Sequence, residues 1–391
     1  MTKANEQFML RAFALARKGL GTVEPNPMVG AVIVRDSQIL GEGWHGAFGG
    51  PHAEIEALAA ARAGGENVRG ATMYVTLEPC SHHGKTPPCA DAIIDAGLAC
   101  VVAAMVDPDE NVAGRGLEKL RAADIEVQTG LCETQVRELL APYIKLRTRK
   151  RPWVICKWAQ TLDGYLALPA GDERWISGQA AREIVHELRS YCDGICVGSG
   201  TVLADDPLLN NRSGRGRQPT RIVLDGRLRT PLASRLIATA SAESPVLLAT
   251  TARAMEDHIE TAAQMARNGA ELLALPDALG AGVSIDALLD ELGRRKWTRL
   301  LIEGGPQVLQ RVIADGLADE LWVFIAPRPA SQSPGEILPR FDIRDLQAQS
   351  DLPQPQRMMA GADTLLKFRL AQKTVGGPPD PTQGSGKSAR S

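Results

Sequence analysis

Residues 1–147 alternate between two apolar patterns. Apolar residues recur at helical spacing in some segments, and short apolar runs bounded by turn residues, which are typical of strands, stand between them. The predicted helices are Phe8–Arg17, Ile55–Arg62 and Ala90–Ala96. The predicted strands are Gly30–Val34, Ile39–Trp44, Ala71–Thr76 and Cys100–Val106. This succession favours a mostly parallel sheet that is covered by helices.

The second half repeats the alternation with different motifs. A basic stretch, Lys145–Arg151, is followed by Pro152, and we interpret it as a linker between two domains. The predicted strands after it are Trp153–Ala159, Ile195–Val197, Arg221–Leu224, Val246–Ala249 and Leu300–Ile302. The C-terminal segment is rich in glycine, proline and serine and cannot form a core. The predicted α/β chain is divided into domains 1–148 and 149–372 and a disordered tail, 373–391.

Composition limits the partners. The chain has 391 residues, a formal net charge of −2 and 4% aromatic residues, and this length exceeds what one hydrophobic core usually serves. Nucleic-acid binding needs a basic surface, so we expect no nucleic-acid partner. No run approaches the ~18 apolar residues of a membrane span, and the N-terminus has no apolar signal core. We therefore expect no membrane partner, a cytoplasmic location and seven reduced cysteines.

Three metal-ligand candidates and one acid stand at the ends of predicted elements. His52 opens a helix, Cys80 follows a strand, and Cys89 comes after eight intervening residues. These N and S donors suit tetrahedral zinc, and three protein ligands leave a fourth position for water, as in catalytic sites. Glu54 can reach the same place across the first helical turn and move protons. The His-x-Glu, Pro-Cys and Cys pattern is that of zinc deaminases.

Other interpretations of this pattern are weaker. Any one of these residues alone would more often belong to a core, and a structural zinc module would need four protein ligands. A nucleic-acid-editing deaminase would need a basic, aromatic-rich surface, which the composition does not supply. Between the cysteines, Lys85 indicates an anionic substrate group such as a phosphate. A solvated loop lysine is the alternative.

Two glycine segments of the second half are candidates for binding a dinucleotide or a phosphate. Val197–Thr201 contains Gly-x-Gly after a strand, for which a simple turn is the alternative. Leu301–Pro306 ends a strand in Gly304 and Gly305, and Pro306 starts a helix. Such a turn bares backbone N–H groups that suit a phosphate. Neither segment is the full Gly-x-Gly-x-x-Gly of a Rossmann domain.

The ordered motifs resemble those of the bifunctional riboflavin-biosynthesis deaminase/reductase family, over roughly residues 5–370. The segments that carry the resemblance are Asn26–Gly30, Gly43–His45, Pro51–Glu54, Thr76–Cys89 and Asp107–Gly116. The resemblance implies a cytidine-deaminase-like α/β/α domain followed by a dihydrofolate-reductase-like α/β domain. It also implies zinc-dependent deamination of 2,5-diamino-6-ribosylamino-4(3H)-pyrimidinone 5′-phosphate. Reduction of the ribosyl group to ribityl with NADPH would follow.

The resemblance also implies roles for individual residues. In the first domain, His52, Cys80 and Cys89 would hold zinc and Glu54 would carry protons. The implied substrate contacts there are Asn26, His45 and, for the phosphate, Lys85. The implied ribosyl-phosphate site of the second domain is Lys157, Glu173, Arg189, Leu209, Arg212 and Glu303. The implied NADPH site is Ala159, Trp175, Thr201, Asp205, Gly226, Gly304, Gly305 and Pro306.

Several positions depart from the family pattern. Glu173 and Gly226 stand where the family usually has serine, and Pro329–Ser331 replaces an apolar segment that ends in glycine. Pro142–Tyr143 stands near the place of a missing Asn-x-x-Phe. Two functions are therefore considered: the two-step enzyme, and a deaminase whose C-terminal domain serves binding or oligomerisation. Either would act on a small pyrimidine ribosyl phosphate, and we expect a homo-oligomer.

Overall fold

The computed structural model describes residues 3–81, 87–110, 112–169, 175–278, 280, 282–330 and 337–371. Within them the chain forms two β-sheets, one from each half of the sequence. Three predictions concern residues outside this part of the chain: the roles of Lys85 and Glu173, and the disordered tail 373–391.

The first half forms a five-stranded sheet with helices on it. The strands are β1 Gly30–Arg35, β2 Gln38–Trp44, β3 Thr72–Val75, β4 Cys100–Ala103 and β5 Glu126–Thr129. The helices are α1 Lys3–Ala16, α2 Ala53–Ala63, α3 Cys89–Ala96, α4 Arg115–Ala122, α5 Glu133–Leu139 and α6 Ala141–Arg149. All seven predicted elements are confirmed within a few residues, whereas β5 and the last three helices were not predicted.

The first sheet is mostly parallel, as predicted, since β2, β3, β4 and β5 run in the same direction, but β1 is reversed. In the order β2-β1-β3-β4-β5, strand β1 runs antiparallel to both of its neighbours. A two-residue turn joins β1 to β2, with Asp36 at φ 50° and Ser37 at φ 62°, and so short a connection can only give an antiparallel pair. Helix α2 then joins β2 to β3, which run in the same direction on either side of β1.

Helix α2 lies unusually close to strand β2. A Cβ atom at Gly41 would lie 2.3 Å from the carbonyl oxygen of Ala57, and one at Gly43 would lie 2.4 Å from that of Ala53. Because only glycine avoids these clashes, the sequence of β2 fixes how closely the helix packs. The start of α2, where two of the candidate site residues lie, is positioned by this contact.

The second half forms a nine-stranded sheet in the order β10-β9-β8-β7-β11-β6-β12-β14-β13. Its strands are β6 Trp153–Gln160, β7 Gly194–Gly198, β8 Thr220–Leu224, β9 Val246–Thr250, β10 Ala270–Ala274, β11 Arg299–Ile302, β12 Glu320–Ile325, β13 Gln356–Ala360 and β14 Asp363–Arg369. Its helices are α7 Gln179–Ser190, α8 Ser199–Asp205, α9 Arg235–Ala238, α10 Ala252–Asp257, α11 Ile259–Arg267, α12 Ile285–Arg294, α13 Pro306–Ala314 and α14 Ile343–Gln349. The pairs from β10 to β12 are parallel, and the five predicted strands are confirmed. No helix in the described residues has both the length and the apolar composition to cross a membrane.

The interpretation of Lys145–Arg151 as a linker is wrong for most of its length, because α6 continues to Arg149. The Nζ atom of Lys145 lies 2.5 Å from the Oδ2 atom of Asp319 in the second half, and both side chains are buried. A second buried pair, Glu24 with Arg299 at 2.8 Å, also joins the two halves. A linker would leave its lysines and arginines exposed to solvent, whereas Lys145 is buried.

Candidate active sites

The three predicted metal ligands come together at one end of the first sheet. His52 is the residue before α2, Cys80 lies in the loop after β3, and Cys89 is the first residue of α3. The Nδ1 atom of His52 is 3.2 Å from the Sγ atom of Cys89 and 3.5 Å from that of Cys80. All three ligand atoms lie within 4.8 Å of one another. One nitrogen and two sulfur donors at this spacing fit a zinc ion.

The two thiols of this cluster differ in acidity. The hydrogen bond from the Cys89 thiol, together with that from His52, lowers the pKa of Cys80 to about 4. The Cys89 thiol keeps its proton because this same hydrogen bond to Cys80, with burial, raises its pKa. The backbone N–H of Cys89 also donates to the Cys80 sulfur at 3.3 Å. The site therefore stabilises a thiolate, which is the form that binds a metal.

Glu54 is a buried acid in the first turn of α2, with 3% of its surface exposed. Burial, followed by the negative charge of Cys80, raises its pKa to about 7. A carboxyl group that titrates near neutrality can both accept and donate a proton under ordinary conditions. Its place beside the ligand cluster is the one that the sequence pattern predicted.

His45 and Asn26 form a hydrogen-bonded pair beside the cluster. The Nδ1 atom of His45 is 2.8 Å from the carbonyl oxygen of Pro51, so this nitrogen carries the proton and donates it. The Nε2 atom then accepts from the Asn26 amide at 3.2 Å. Burial lowers the pKa of His45, which keeps the ring neutral. The pair fixes the orientation of the Asn26 side chain.

A cavity of about 540 Å³ opens onto these residues, a volume that suits a nucleotide-sized molecule. The predicted residues that line it are Asn26, His45, His52, Glu54 and Cys80. Among the polar lining residues, sequence reasoning did not assign a role to Asp107, Asp109, Tyr143 and Arg147. Asp107 and Asp109 lay inside a motif without an assigned role, and the last two lay in or next to the supposed linker. The i, i+4 spacing of Tyr143 and Arg147 would have revealed them, had this stretch been taken as a helix.

Glu78 also lines the cavity, but its carboxylate is fully engaged in the fold. It accepts hydrogen bonds from the backbone N–H groups of Asp107, Gly114, Gly116 and Leu117, at 3.1, 2.8, 2.9 and 3.4 Å. These bonds tie the loop after β4 to the loop that carries the cysteines. Glu78 therefore holds the site together, and Glu54 is the acid that is placed to move protons.

The candidate reductase site lies at the carboxyl ends of β6, β7 and β11. After β6 the chain adds β7 to β10 on one side, then returns to place β11 between β6 and β7. In open α/β sheets, ligands bind outside the carboxyl ends of strands at such a reversal. The predicted residues at this edge are Lys157 and Ala159 on β6, Thr201 after β7, Gly226 after β8, and Glu303, Gly304, Gly305 and Pro306 after β11.

The glycine turn after β11 packs closely against its surroundings. A Cβ atom at Gly304 would lie 2.8 Å from the Cβ of Val308, and one at Gly305 would lie 3.4 Å from the Oγ1 of Thr201. Gly305 precedes α13, whose first residue is Pro306. The N-terminus of α13, with its positive dipole end, therefore faces Thr201, an arrangement that fits a phosphate of a dinucleotide.

A buried cluster of charges lies beside this turn. The Nε and Nη2 atoms of Arg189 donate to the two carboxylate oxygens of Glu303 at 2.7 and 2.8 Å. Lys157 lies 3.7 Å from the same carboxylate. Although burial alone raises the pKa of Glu303, the charges of Arg189 and Lys157 bring it to about 2. The guanidinium fork of Arg189, expected to bind phosphate, is thus occupied by Glu303.

His186 is a member of this cluster that sequence reasoning missed. It lies one turn before Arg189 on α7, and its Nδ1 atom accepts a long hydrogen bond of 3.4 Å from the backbone N–H of Arg212. Burial, with the charges of Arg189 and Arg212, lowers its pKa to about 4. The neutral ring connects exposed Arg212 to the buried cluster. Its i, i+3 spacing from Arg189 on an amphipathic helix was the signal that could have found it.

The remaining predicted residues of this domain occupy different settings. Leu209 is buried with a left-handed φ of 49°. Trp175 is 51% exposed, and its carbonyl accepts from Arg328 at 2.6 Å. Asp205 ends α8 and shares a helix face with Thr201. A Cβ atom at Gly226 would lie 3.3 Å from the Cα of Gly282, so glycine in place of serine relieves a tight contact.

The seven cysteines are all free thiols. Apart from the two ligand candidates, Cys156, Cys192 and Cys196 are buried, and burial raises the pKa of each. Cys100 and Cys132 are only half-buried.

Both halves match known families. Residues 2–105 match the cytidine and deoxycytidylate deaminase zinc-binding region, and residues 152–329 match the RibD C-terminal domain. The riboflavin biosynthesis protein RibD of Aquifex aeolicus is 38% identical over 366 residues, which cover 93% of this chain and 98% of that protein. RibD of Escherichia coli is 40% identical and covers 83% of this chain and 88% of its own length.

Solved structures agree over nearly the whole chain. The diaminohydroxyphosphoribosylaminopyrimidine deaminase/5-amino-6-(5-phosphoribosylamino)uracil reductase of Thermotoga maritima is 38% identical, with a TM-score of 0.80, over 94% of this chain and 99% of that one. Acinetobacter baumannii RibD is 34% identical, with a TM-score of 0.79, over 95% of this chain and 99% of its own. A deaminase domain and a reductase domain in one chain define a bifunctional enzyme, a hydrolase fused to an oxidoreductase.

The chain belongs to the RibD family of riboflavin biosynthesis proteins. The predicted fold classes of both domains are confirmed. Because the matches span both halves, the alternative of a deaminase with a purely binding or oligomerising C-terminal domain is not favoured.

Proposed function

We propose that this chain deaminates 2,5-diamino-6-ribosylamino-4(3H)-pyrimidinone 5′-phosphate and then reduces the ribosyl group of the product to a ribityl chain with NADPH. The observation that carries the proposal is the cluster of His52, Cys80 and Cys89 beside Glu54, in a cavity large enough for a nucleotide. The name of the Thermotoga maritima relative describes the same two activities.

In the first domain, His52, Cys80 and Cys89 would hold a zinc ion, whose chemistry is to make hydroxide accessible near neutral pH. Glu54 accepts a proton from the attacking water as the water oxygen bonds to the ring carbon that bears the amino group. The bond from that carbon to nitrogen then breaks, and Glu54 delivers the proton to the departing amine, which leaves as ammonia. The buried carboxyl group lies beside the ligand cluster, where it can make both transfers.

Asn26 and His45 orient the substrate ring in this proposal. His45 uses Nδ1 to hold the carbonyl of Pro51 and Nε2 to hold the Asn26 amide. The Oδ1 atom of Asn26 is then the acceptor for an N–H of the pyrimidine. Lys85 remains a predicted contact of the phosphate.

In the second domain, the first turn of α13 and Thr201 would hold a phosphate of NADPH, which supplies the hydride for the sugar. Glu303, kept ionised by Arg189 and Lys157, is a fixed acceptor for ribosyl hydroxyl groups. Arg212, whose backbone N–H donates to His186, is the exposed cation for the ribosyl phosphate. The remaining predicted contacts of this site are Ala159, Glu173, Trp175, Asp205, Leu209 and Gly226.

The test is to incubate the purified protein with the diaminopyrimidinone ribosyl phosphate, with and without NADPH, and to identify the products by mass spectrometry. We expect the deaminated ribosyl compound without NADPH and the ribityl compound with it. If the deaminated product accumulates and NADPH is not oxidised, the result would favour the alternative, in which the second domain serves binding or oligomerisation.

We also propose domain bounds of 1–148 and 149–372, a cytoplasmic location and a homo-oligomer. The free cysteines support a reducing compartment. The position of α6 between the two halves supports the first boundary. Light scattering of the purified chain tests the oligomeric state.

A further inference from the structure

The deaminase cavity contains an unusual balance of charge for a site that takes a phosphorylated substrate. Four acidic residues line it: Glu54, Glu78, Asp107 and Asp109. Among the lining residues that the structure describes, Arg147 is the one lysine or arginine. Since like charges repel strongly in a partly buried cavity, a phosphate entering here needs a cation to meet it.

Arg147 is held in place without its hydrogen-bonding capacity being used up. Its guanidinium carbon lies 5.0 Å from the ring centre of Tyr143, and its Nη1 atom lies 3.4 Å from Asp109. The Nε atom is buried and has no hydrogen-bond partner in the described part of the chain. This arrangement contrasts with Arg189, whose fork is filled by a carboxylate. The terminal nitrogens of a guanidinium group can bind a phosphate in bidentate fashion, and the contact of this group with the Asp109 carboxylate is long at 3.4 Å.

The groups around Arg147 are themselves fixed. The Tyr143 hydroxyl donates to the two oxygens of Asp107 at 3.0 and 3.2 Å. Lys145, on the same helix, is bound to Asp319 in the reductase domain. The helix is thus anchored on both sides, and the guanidinium group is presented to the cavity from a rigid support.

We propose that Arg147 binds the 5′-phosphate of the deaminase substrate and sets the preference for a phosphorylated over a dephosphorylated ribosyl compound. This inference rests on the proposed deaminase function and adds a specificity residue to it. Arg147 lies at the end of the deaminase domain, next to the reductase domain. The inference therefore gives this part of the chain a role in recognising the first substrate.

The experiment measures deamination of the ribosyl phosphate and of its dephosphorylated counterpart by wild type, Arg147→Met and Arg147→Lys. The matched control is Arg149→Met, an exposed arginine on the same helix. For Arg147→Met we expect KM for the phosphorylated substrate to rise about tenfold or more, the effect of one charge-assisted contact. Activity on the dephosphorylated compound should fall much less than activity on the phosphorylated one, and the lysine variant should keep part of the preference.

Three outcomes would overturn the inference. Equal losses on both substrates would make Arg147 a structural residue. An unchanged preference in the methionine variant would locate the phosphate elsewhere, with Lys85 the next candidate, and a similar effect of Arg149→Met would indicate general electrostatics. Zinc content and circular dichroism verify folding, and Arg147→Gln replaces the methionine variant if that is insoluble. A wild type that deaminates neither compound would instead refute the proposed function.

Discussion

Two buried glutamates, one in each domain, show how neighbours decide what an acid can do. Glu54 is buried beside a thiolate, and its pKa rises to about 7. Glu303 is buried to a similar degree beside Arg189 and Lys157, and its pKa falls to about 2. The first can therefore exchange a proton near neutral pH, whereas the second is a permanent negative charge. Burial alone would have raised the pKa of both.

The two sites also differ in how they are assembled. The metal-ligand candidates and Glu54 lie in two short segments that follow β2 and β3, on either side of β1, so that their spacing along the chain reveals the chemistry. The reductase cluster joins residues that are 114 positions apart in the case of Arg189 and Glu303. Each of those residues looks ordinary in its own segment. The first site is a local motif, and the second is a product of the whole sheet.

Metal removal should have the largest effect, because it should abolish the activity of one domain and leave that of the other unchanged. We expect one zinc ion per chain, and a strong chelator should abolish deamination because no other described group supplies the same activation of water. Reduction of the deaminated substrate should continue at its original rate. Metal analysis and the two separate assays are the measurements, with zinc added back as the control. Full deamination by metal-free protein would contradict the zinc assignment.

Glu54→Gln should come next in size. The amide is nearly isosteric but cannot accept a proton, so deamination should fall by about 10²- to 10⁴-fold while the zinc content stays the same. Glu56→Gln, on the same helix, is the matched control and should keep most of the activity. Near-normal turnover by Glu54→Gln would show that another group carries the proton.

Glu303→Gln tests the glutamate whose pKa is lowered by its neighbours. It leaves two buried cations without a counter-charge and should lower the free energy of unfolding by about 3 kcal/mol at neutral pH. Because the folded pKa of Glu303 lies below its usual 4.5, its contribution is complete above pH 4.5 and is lost as the pH falls toward about 2. The difference between variant and wild type should shrink over that interval.

Urea denaturation followed by tryptophan fluorescence measures this effect. Asp257→Asn removes an exposed pair with Arg253, at 3.4 Å, and serves as the control, with an expected loss of about 0–1 kcal/mol. Equal effects of the two substitutions would mean that the buried cluster is no more important to stability than a surface pair.

Glu173→Ser should have the smallest effect. It restores the residue that is usual in the family, and we expect Arg174 to neutralise the carboxylate in the present chain, since the fork of Arg189 is occupied by Glu303. KM for the sugar phosphate in the reductase assay should then change by less than about tenfold, or ~1.4 kcal/mol. A much larger improvement would indicate that this half is adapted to another substrate.

Much of the fold and most of the first site could be predicted because they depend on local patterns. Strands such as β1 and β7 are short apolar runs between turns, and His52 and Cys80 stand at element ends. The reversed direction of β1 was not predicted, although the short polar turn between the first two predicted strands was the signal for it. Tyr143 and Arg147 were missed because a basic stretch before a proline also has the composition of a linker.

The crossed ion pairs between the domains determine whether the halves can be exchanged between proteins. The first half contributes the acid Glu24 and the base Lys145, and the second contributes the base Arg299 and the acid Asp319. A cut at the proposed boundary would leave each fragment with one buried acid and one buried base, both without their counter-ions. A domain from another protein could replace one half only if it placed an acid and a base at the same two positions of the interface. The two pairs thus make the interface of each half specific for the other half.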